Sequence, residues 1–191
     1  MRCAATCSSS KRAALWALAL LSLALGCRRA QPMRAEEVFV ALGEAARRGD
    51  TKTVFDLLDQ QSQWSLMSAF RAQQQQRDNV LAYYPPARQA GELQRTQLLV
   101  GVKDVAGYWA AYCRSSGTLG RLARLGAAPG ADPKGERVAW RSGGEDVALC
   151  REGARWTYCG LREALEQLKL KATRDLETVR EGVESYKGRA L

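Results

Sequence analysis

The sequence predicts an α+β domain with several N-terminal helices, a small antiparallel sheet and a long C-terminal helix. Three changes of pattern predict it. Apolar residues recur at helical spacing from residue 35 to about residue 126, residues 136 to 160 show the two-residue period of strands, and the helical period returns at Leu161. The 191 residues are enough for one domain with a substantial core.

The first two helices are predicted from an apolar face, a stop signal and a cap. The segment "RAEEVFVALGEAARRGD" places Val38 and Leu42 on one face, and Gly49 is expected to end the helix. Asp50 then has the position of an N-cap for a second helix in "TKTVFDLLDQ".

Further helices are predicted up to about residue 126. The third runs from about residue 62 to residue 84, because Pro85-Pro86 cannot continue it. Its Gln73 to Gln76 run is interpreted as a solvated surface, and its apolar side is assigned to Trp64, Met67, Phe70, Val80 and Leu81. Residues 87 to 126 are also expected to be helical, with Asp104 as a cap.

The strand segment is "ERVAWRSGGEDVALCREGARWTYCG", which predicts two or three short strands. Turns are expected at Ser142-Gly143-Gly144 and near Gly153. A two-residue turn at Gly153-Ala154 would place Leu149 opposite Tyr158.

This register makes Cys150 and Cys159 diagonal neighbours on the other face of the hairpin. Diagonal partners lie at the edge of disulfide reach, and a Cys150–Cys159 bridge is therefore predicted. Two unpaired thiols, or a bridge to Cys113, are the alternatives that the sequence leaves open.

The C-terminal helix has a seam spaced by threes and fours: Leu161, Leu165, Leu168, Ala172, Leu176, Val179, Val183 and Tyr186. A helix of about 26 residues extends about 39 Å, which is longer than a small domain usually covers. We expect part of this helix to project and to bind a partner protein or a second copy. The alternative is that the whole seam folds back over the N-terminal helices.

The N-terminus resembles a bacterial lipoprotein signal. A basic segment (1–12) precedes the uncharged run "AALWALALLSLAL" (13–25) and then Gly26-Cys27, where such signals are cleaved and the cysteine is acylated. The family prefers leucine three residues before the cysteine and a small residue two before, whereas this chain has Ala24 and Leu25. Ordinary secretion is the alternative.

The resemblance divides the chain into a signal peptide (1–26), a lipidated linker (27–34), a domain (35–160) and the C-terminal helix (161–191). It implies that Cys27 carries the lipid anchor that holds the protein on a membrane of the cell envelope. No Asp follows Cys27, which favours the outer membrane with the domain facing the periplasm.

Charge and composition argue against several classes of site. The net charge of +9 falls to +6 when Arg2, Lys11 and Arg12 leave with the leader, and the remaining basic residues form no stripe or motif for nucleic acid. The chain has no histidine and no C-x-x-C pair, so no metal site of the Cys/His kind and no cofactor is predicted. A site made of carboxylates alone stays open.

Two segments are similar to the nuclear transport factor 2-like superfamily. "AEEVFVALGEAARRGDTKTVFDLLDQQSQ" (35–63) has its opening helix, Gly-Asp break and second helix, and "EDVALCREGARWTY" (145–158) resembles its later strand pair. The resemblance implies N-terminal helices packed on a small curved antiparallel sheet, forming a cone with an apolar pocket. The strand portion here is shorter than the usual sheet, and the family often stops before a helix like the last one.

Enzymes of that superfamily use an Asp or His base in the pocket, but no motif carries this role to a numbered position here. Without histidine a base would be a buried carboxylate, and Asp56, Asp59 and Asp104 are the candidates. Asp56 and Asp59 are expected on the wet side of a helix and Asp104 as a cap, and no G-x-S-x-G motif is present.

We therefore expect a non-catalytic, membrane-anchored envelope lipoprotein that binds a partner protein or an apolar ligand. The alternative is a small pocket enzyme of the isomerase or dehydratase type. An open apolar pocket that contains a buried carboxylate would favour the enzyme.

Overall fold

The computed structural model describes residues 33–129 and 135–187, and it confirms the α+β class. Seven α-helices lie in this part of the chain, and a 3₁₀-helix (Gln94–Leu99) follows the fourth. They are α1 (Ala35–Arg47), α2 (Thr51–Asp56), α3 (Gln60–Tyr83), α4 (Pro86–Leu93), α5 (Val105–Ser116), α6 (Thr118–Ala123) and α7 (Arg162–Lys187).

The strands β1 (Arg137–Ser142), β2 (Glu145–Glu152) and β3 (Arg155–Tyr158) form an antiparallel sheet in sequence order. Leu149 lies opposite Tyr158, so the predicted register of the second hairpin is confirmed. Leu58 adds a single parallel bridge to the outer edge of β3, next to Tyr158. The backbone just before α3 is thus joined to the backbone just before α7.

The inner face of the sheet packs against α1, and aromatic side chains fill the space between them. The rings of Phe39 and Trp140 meet edge to face with centroids 5.5 Å apart. Val147, Leu149 and Trp156 extend the same buried cluster along the sheet. Side chains therefore fill the space between α1 and the sheet, where the family resemblance implied an apolar pocket.

Helices α3 and α7 lie side by side and run in the same direction. The hydroxyl of Ser65 donates to Glu166 at 2.7 Å, near the start of both helices. Farther along, Arg180 donates to the side-chain oxygen of Gln75 at 3.0 Å, so the residue numbers rise together in the two helices. At the far end the Tyr84 hydroxyl donates to the carbonyl oxygen of Val179 at 3.2 Å.

The expectation that part of the C-terminal helix projects is wrong. Ala172, Leu176, Val179 and Val183 are each at most 6% exposed. Ala172 and Leu176 belong to the main core, which also contains residues of α1 and of the sheet. The seam folds back on the domain as far as the described residues reach, because α3 offers a parallel partner of almost the same length.

Gln73 and Gln76 are buried, which corrects their interpretation as solvated surface; Gln74 and Gln75 between them are exposed. The buried Gln73 and Gln76 lie along α3 between the main core and a small second cluster of Val80, Tyr84, Val179 and Val183. Neither amide atom of Gln76 has a hydrogen-bond partner among the described residues. A buried amide without partners costs free energy, so this position weakens the helix pair.

Replacing Gln76 by leucine is therefore expected to raise the free energy of unfolding by about 1–2 kcal/mol, because the variant removes an unsatisfied buried amide and keeps a similar volume. Urea unfolding followed by circular dichroism measures the change. Gln74→Leu is the matched control and should leave stability almost unchanged, since Gln74 is exposed. A less stable Gln76→Leu protein would show that the amide has partners in solution.

The predicted signal peptide and nearly all of the lipidated linker, including Cys27, lie outside the described residues. None of the helices in the described part of the chain combines the length and the apolar character that crossing a bilayer requires.

Candidate functional site

A disulfide joins Cys150 on β2 to Cys159, the residue after β3, with Cα atoms 5.8 Å apart. It is the hairpin pairing among the alternatives that the sequence left open. Cys113 is a free thiol inside the main core, and burial raises its pKa to about 12. A thiol with this pKa is not a nucleophile at neutral pH, so Cys113 is a packing residue.

The disulfide lies in an open groove of about 680 Å³, which we call the helix–sheet groove. Three parts of the chain line it. The sheet contributes Arg137, Asp146, Ala148, Cys150 and Glu152; the start of α3 contributes Gln60, Gln61 and Trp64; Cys159, Gly160 and the first turns of α7 contribute the rest, including Arg162, Glu163, Glu166 and Gln167. The sheet side chains alternate along β2 and share one face, opposite to the face that packs on α1.

Asp59 fixes the relative position of the two helices at one end of the groove. Its carboxylate accepts hydrogen bonds from the backbone N–H of Ser62 at 3.1 Å and from the Ser62 hydroxyl at 2.5 Å, and thereby caps α3. The first residue of α7, Arg162, donates from Nε to Oδ1 of the same carboxylate at 3.2 Å, and its Nη2 lies 3.2 Å from that oxygen in an ion pair.

The expectation that Asp59 lies on the wet side of a helix is wrong, because the residue is fully buried. The bridge between Leu58 and Tyr158 holds this segment against β3, where solvent does not reach. Both carboxylate oxygens accept hydrogen bonds from Ser62, and Arg162 also binds one of them. Asp59 therefore has the contacts of a structural ion pair, not those of a base that faces a pocket.

The other two candidate bases have the expected places. Asp56 is exposed and pairs with Lys52 at 2.7 Å, and Asp104 caps α5 by accepting from the Gly107 N–H at 2.8 Å. Within residues 33–129 and 135–187 no cluster of three or more His, Cys, Asp or Glu side chains is placed to hold a metal ion.

Two glutamates of the groove are held by hydrogen bonds. Glu152 accepts from the backbone N–H of Gln60 at 3.1 Å and so joins the second hairpin to the start of α3. Glu166 accepts from Lys169 and from the Ser65 hydroxyl, and these hydrogen bonds lower its pKa. Both carboxylates therefore lie in fixed positions, and Glu166 stays ionised across the neutral range.

Other groups of the groove are left for a ligand. The side chains of Glu163, Gln167 and Arg137 line it and have no hydrogen-bond or ion-pair partner among the described residues. Trp64 is 55% exposed, whereas Trp109, Trp140 and Trp156 are at most 8% exposed. A half-exposed indole beside unpaired charged groups is typical of a binding surface.

Sequence reasoning missed this groove because it assigned Trp64 to the apolar side of its helix. The buried face of α3 instead contains Ser62, Leu66, Ala69, Gln73 and Gln76, and Trp64 lies off it. One signal was present: Trp64 follows Gln60, Gln61 and Gln63 in a helical turn that is polar in sequence.

Comparison of the chain with protein-family models, with curated proteins and with solved structures found no match.

Proposed function

We propose that this chain is a non-catalytic lipoprotein of the cell envelope whose domain binds a partner protein in the helix–sheet groove. The observation that carries the proposal is the exposed Trp64 in an open groove, next to charged groups that have no partner within the described part of the chain. Large, half-exposed aromatic side chains are the usual anchors of protein interfaces.

The interior of the domain supports binding at the surface over binding in a pocket. Aromatic rings fill the space between α1 and the sheet, and the buried Asp59 is bound by Ser62 and Arg162. An isomerase or dehydratase would need an open apolar pocket with an available base. Nine of the fourteen residues that line the groove are charged or carry an amide, which favours a ligand with polar groups of its own over a purely apolar one.

The proposed anchor fits the place where the chain enters the domain. The carbonyl oxygen of Met33 accepts from the Trp156 N–H at 3.2 Å, so the described chain begins at the edge of β3. The residues between Cys27 and Met33 span at most about 20 Å, which would keep this edge close to the membrane. The disulfide supports an oxidising compartment such as the periplasm, and we propose the outer membrane as the site of the anchor.

Kinship with the nuclear transport factor 2-like superfamily is part of the same proposal. The order of the elements supports it: α1, a break at Gly49-Asp50, α2 and, later, a pair of strands.

The anchor is tested with Cys27→Ala. We expect the natural chain to enter the detergent phase and to incorporate a fatty-acid analogue, and the variant to lose both properties, because the acyl chains supply the membrane affinity. Cys113→Ala is the control and should keep the label. Label retained in Cys27→Ala would refute the anchor.

The binding site is tested in cells by placing a photo-crosslinking amino acid at Gln167 in the groove, with Gln74 on the exposed side of α3 as the control position. A discrete protein adduct at Gln167 and none at Gln74 is expected. No adduct at Gln167, or equal adducts at both positions, would refute binding in the groove.

A further inference from the structure

We infer that the helix–sheet groove takes a basic, extended segment of a partner protein, with an apolar side chain against Trp64 and a lysine or arginine beside Glu163. This inference rests on the proposed function and specifies the chemistry of the partner.

The groove is acidic on a chain that is basic as a whole. Four carboxylates and two guanidinium groups line it, whereas the chain has a net charge of +9. Arg162 is paired with the buried Asp59, Asp146 with Arg141, and Glu166 with Lys169. Among the described residues this leaves Glu152 and Glu163, against Arg137, as the charges of the groove without an ion-pair partner. The available charge in the groove is therefore negative, and it favours a cationic ligand.

The exposed side chains suggest how such a segment is held. Glu163 is exposed on the α7 wall and its side chain has no partner among the described residues, so its carboxylate is the one that a cation of the ligand would meet there. Trp64 lines the groove from α3, where an apolar side chain of the ligand would cover its exposed surface. Alternating basic and apolar side chains in an extended segment match these two walls.

The floor has room for the backbone of this segment. Ala148, the Cys150–Cys159 disulfide and Gly160 contribute short side chains or none, and a side chain at Gly160 would collide with the ring of Tyr158. A membrane surface is a poor alternative occupant, since the unpaired charge of the groove is negative and would repel anionic headgroups.

Synthetic peptides test the inference with the full chain in neutral detergent. The first is a nine-residue peptide of alternating lysine and leucine with glycine at both ends, and the second has glutamate in place of lysine. In a Trp16→Phe background, Trp64 is the exposed indole of the described part of the chain, so protection of tryptophan fluorescence from acrylamide reports binding in the groove. We expect the lysine peptide to protect the Trp64 fluorescence from acrylamide and the glutamate peptide to give no protection. The lysine peptide should bind more weakly at high salt.

Matched variants locate the binding. We expect Trp64→Ala and Glu163→Lys to weaken the affinity for the lysine peptide by about tenfold or more. Isothermal titration or the anisotropy of a labelled peptide measures this affinity. Leu81→Ala on α3 and Glu177→Lys on α7 are exposed outside the groove and should change the affinity less than about twofold. Circular dichroism of each variant checks that the fold is retained.

Several outcomes would overturn the inference: equal binding of the two peptides, binding of the lysine peptide that Glu163→Lys leaves unchanged, or protection of Trp64 by an N-acetylglucosamine hexamer and by neither peptide. Crosslinking at Gln167 separates this failure from failure of the proposed function. An adduct in cells that Glu163→Lys does not reduce would leave a protein partner in place and contradict only its basic character. Absence of any adduct would refute both.

Discussion

Deleting residues 172–191 is expected to abolish the folded domain. The deletion removes Ala172, Leu176, Val179 and Val183 from the core and exposes the face of α3 that they cover. Each large apolar side chain contributes about 1.5–3 kcal/mol by burial, and a domain of this size has about 5–15 kcal/mol of stability in total. Loss of the cooperative thermal transition in circular dichroism is the measurement.

A point variant tests the same prediction without deleting any residues. Val179→Asp would place a carboxylate where a fully buried side chain packs, and should lower the free energy of unfolding by about 3–5 kcal/mol. Thr178→Asp is the control at the next, exposed position and should change it by less than about 1 kcal/mol. A truncated protein that melts at the natural temperature would show that the distal half of α7 is not part of the core.

The direction of this prediction reverses what the sequence suggested, and the reason lies in α3. The seam of α7 is apolar throughout, so its pattern was readable, but its partner face on α3 contains Ser62, Ser65, Gln73 and Gln76. Hydrophobic periodicity cannot detect a face made partly of serine and glutamine. For this reason the sequence showed no intramolecular partner for α7, and we expected the helix to bind another protein.

Elements defined by local chemistry were predicted well. Asp50 and Asp104 cap α2 and α5, and α3 ends at Tyr83, just ahead of Pro85-Pro86. The register of β2 and β3 followed from the two-residue turn at Gly153. Caps, prolines and tight turns act over a few residues, and sequence alone therefore determines them.

The groove was not predictable in the same way, because its walls are distant in sequence. Trp64 and Glu163 are about a hundred residues apart and share a groove because the segments before α3 and α7 are joined at Leu58 and Tyr158. That bridge consists of two long-range backbone hydrogen bonds, from the Asp59 N–H to the Tyr158 carbonyl and from the Tyr158 N–H to the Leu57 carbonyl, and no sequence motif marks it. The same contact buries Asp59, whose position in sequence resembles that of an ordinary surface cap.

Replacing Asp59 by alanine is expected to lower the free energy of unfolding by about 2–4 kcal/mol. The change removes the cap of α3, leaves the buried Ser62 N–H and hydroxyl without their acceptor, and releases Arg162 at the start of α7. Asp59→Asn keeps an acceptor for the cap and should cost less. Asp104→Ala removes an exposed cap with one hydrogen bond and should cost about 1 kcal/mol, which makes it the matched control.

A double-mutant cycle with Arg162→Ala separates the ion pair from the cap. Because the Arg162 side chain is 48% exposed, solvent weakens its interaction, and we expect a coupling of about 1 kcal/mol, with most of the loss coming from the cap. Urea unfolding of the four proteins measures it. If Asp59→Ala were as stable as the natural protein or more stable, the buried carboxylate would be held at a cost to the fold, as functional groups often are. That result would remove the structural explanation of Asp59 and favour the pocket enzyme over the binding protein.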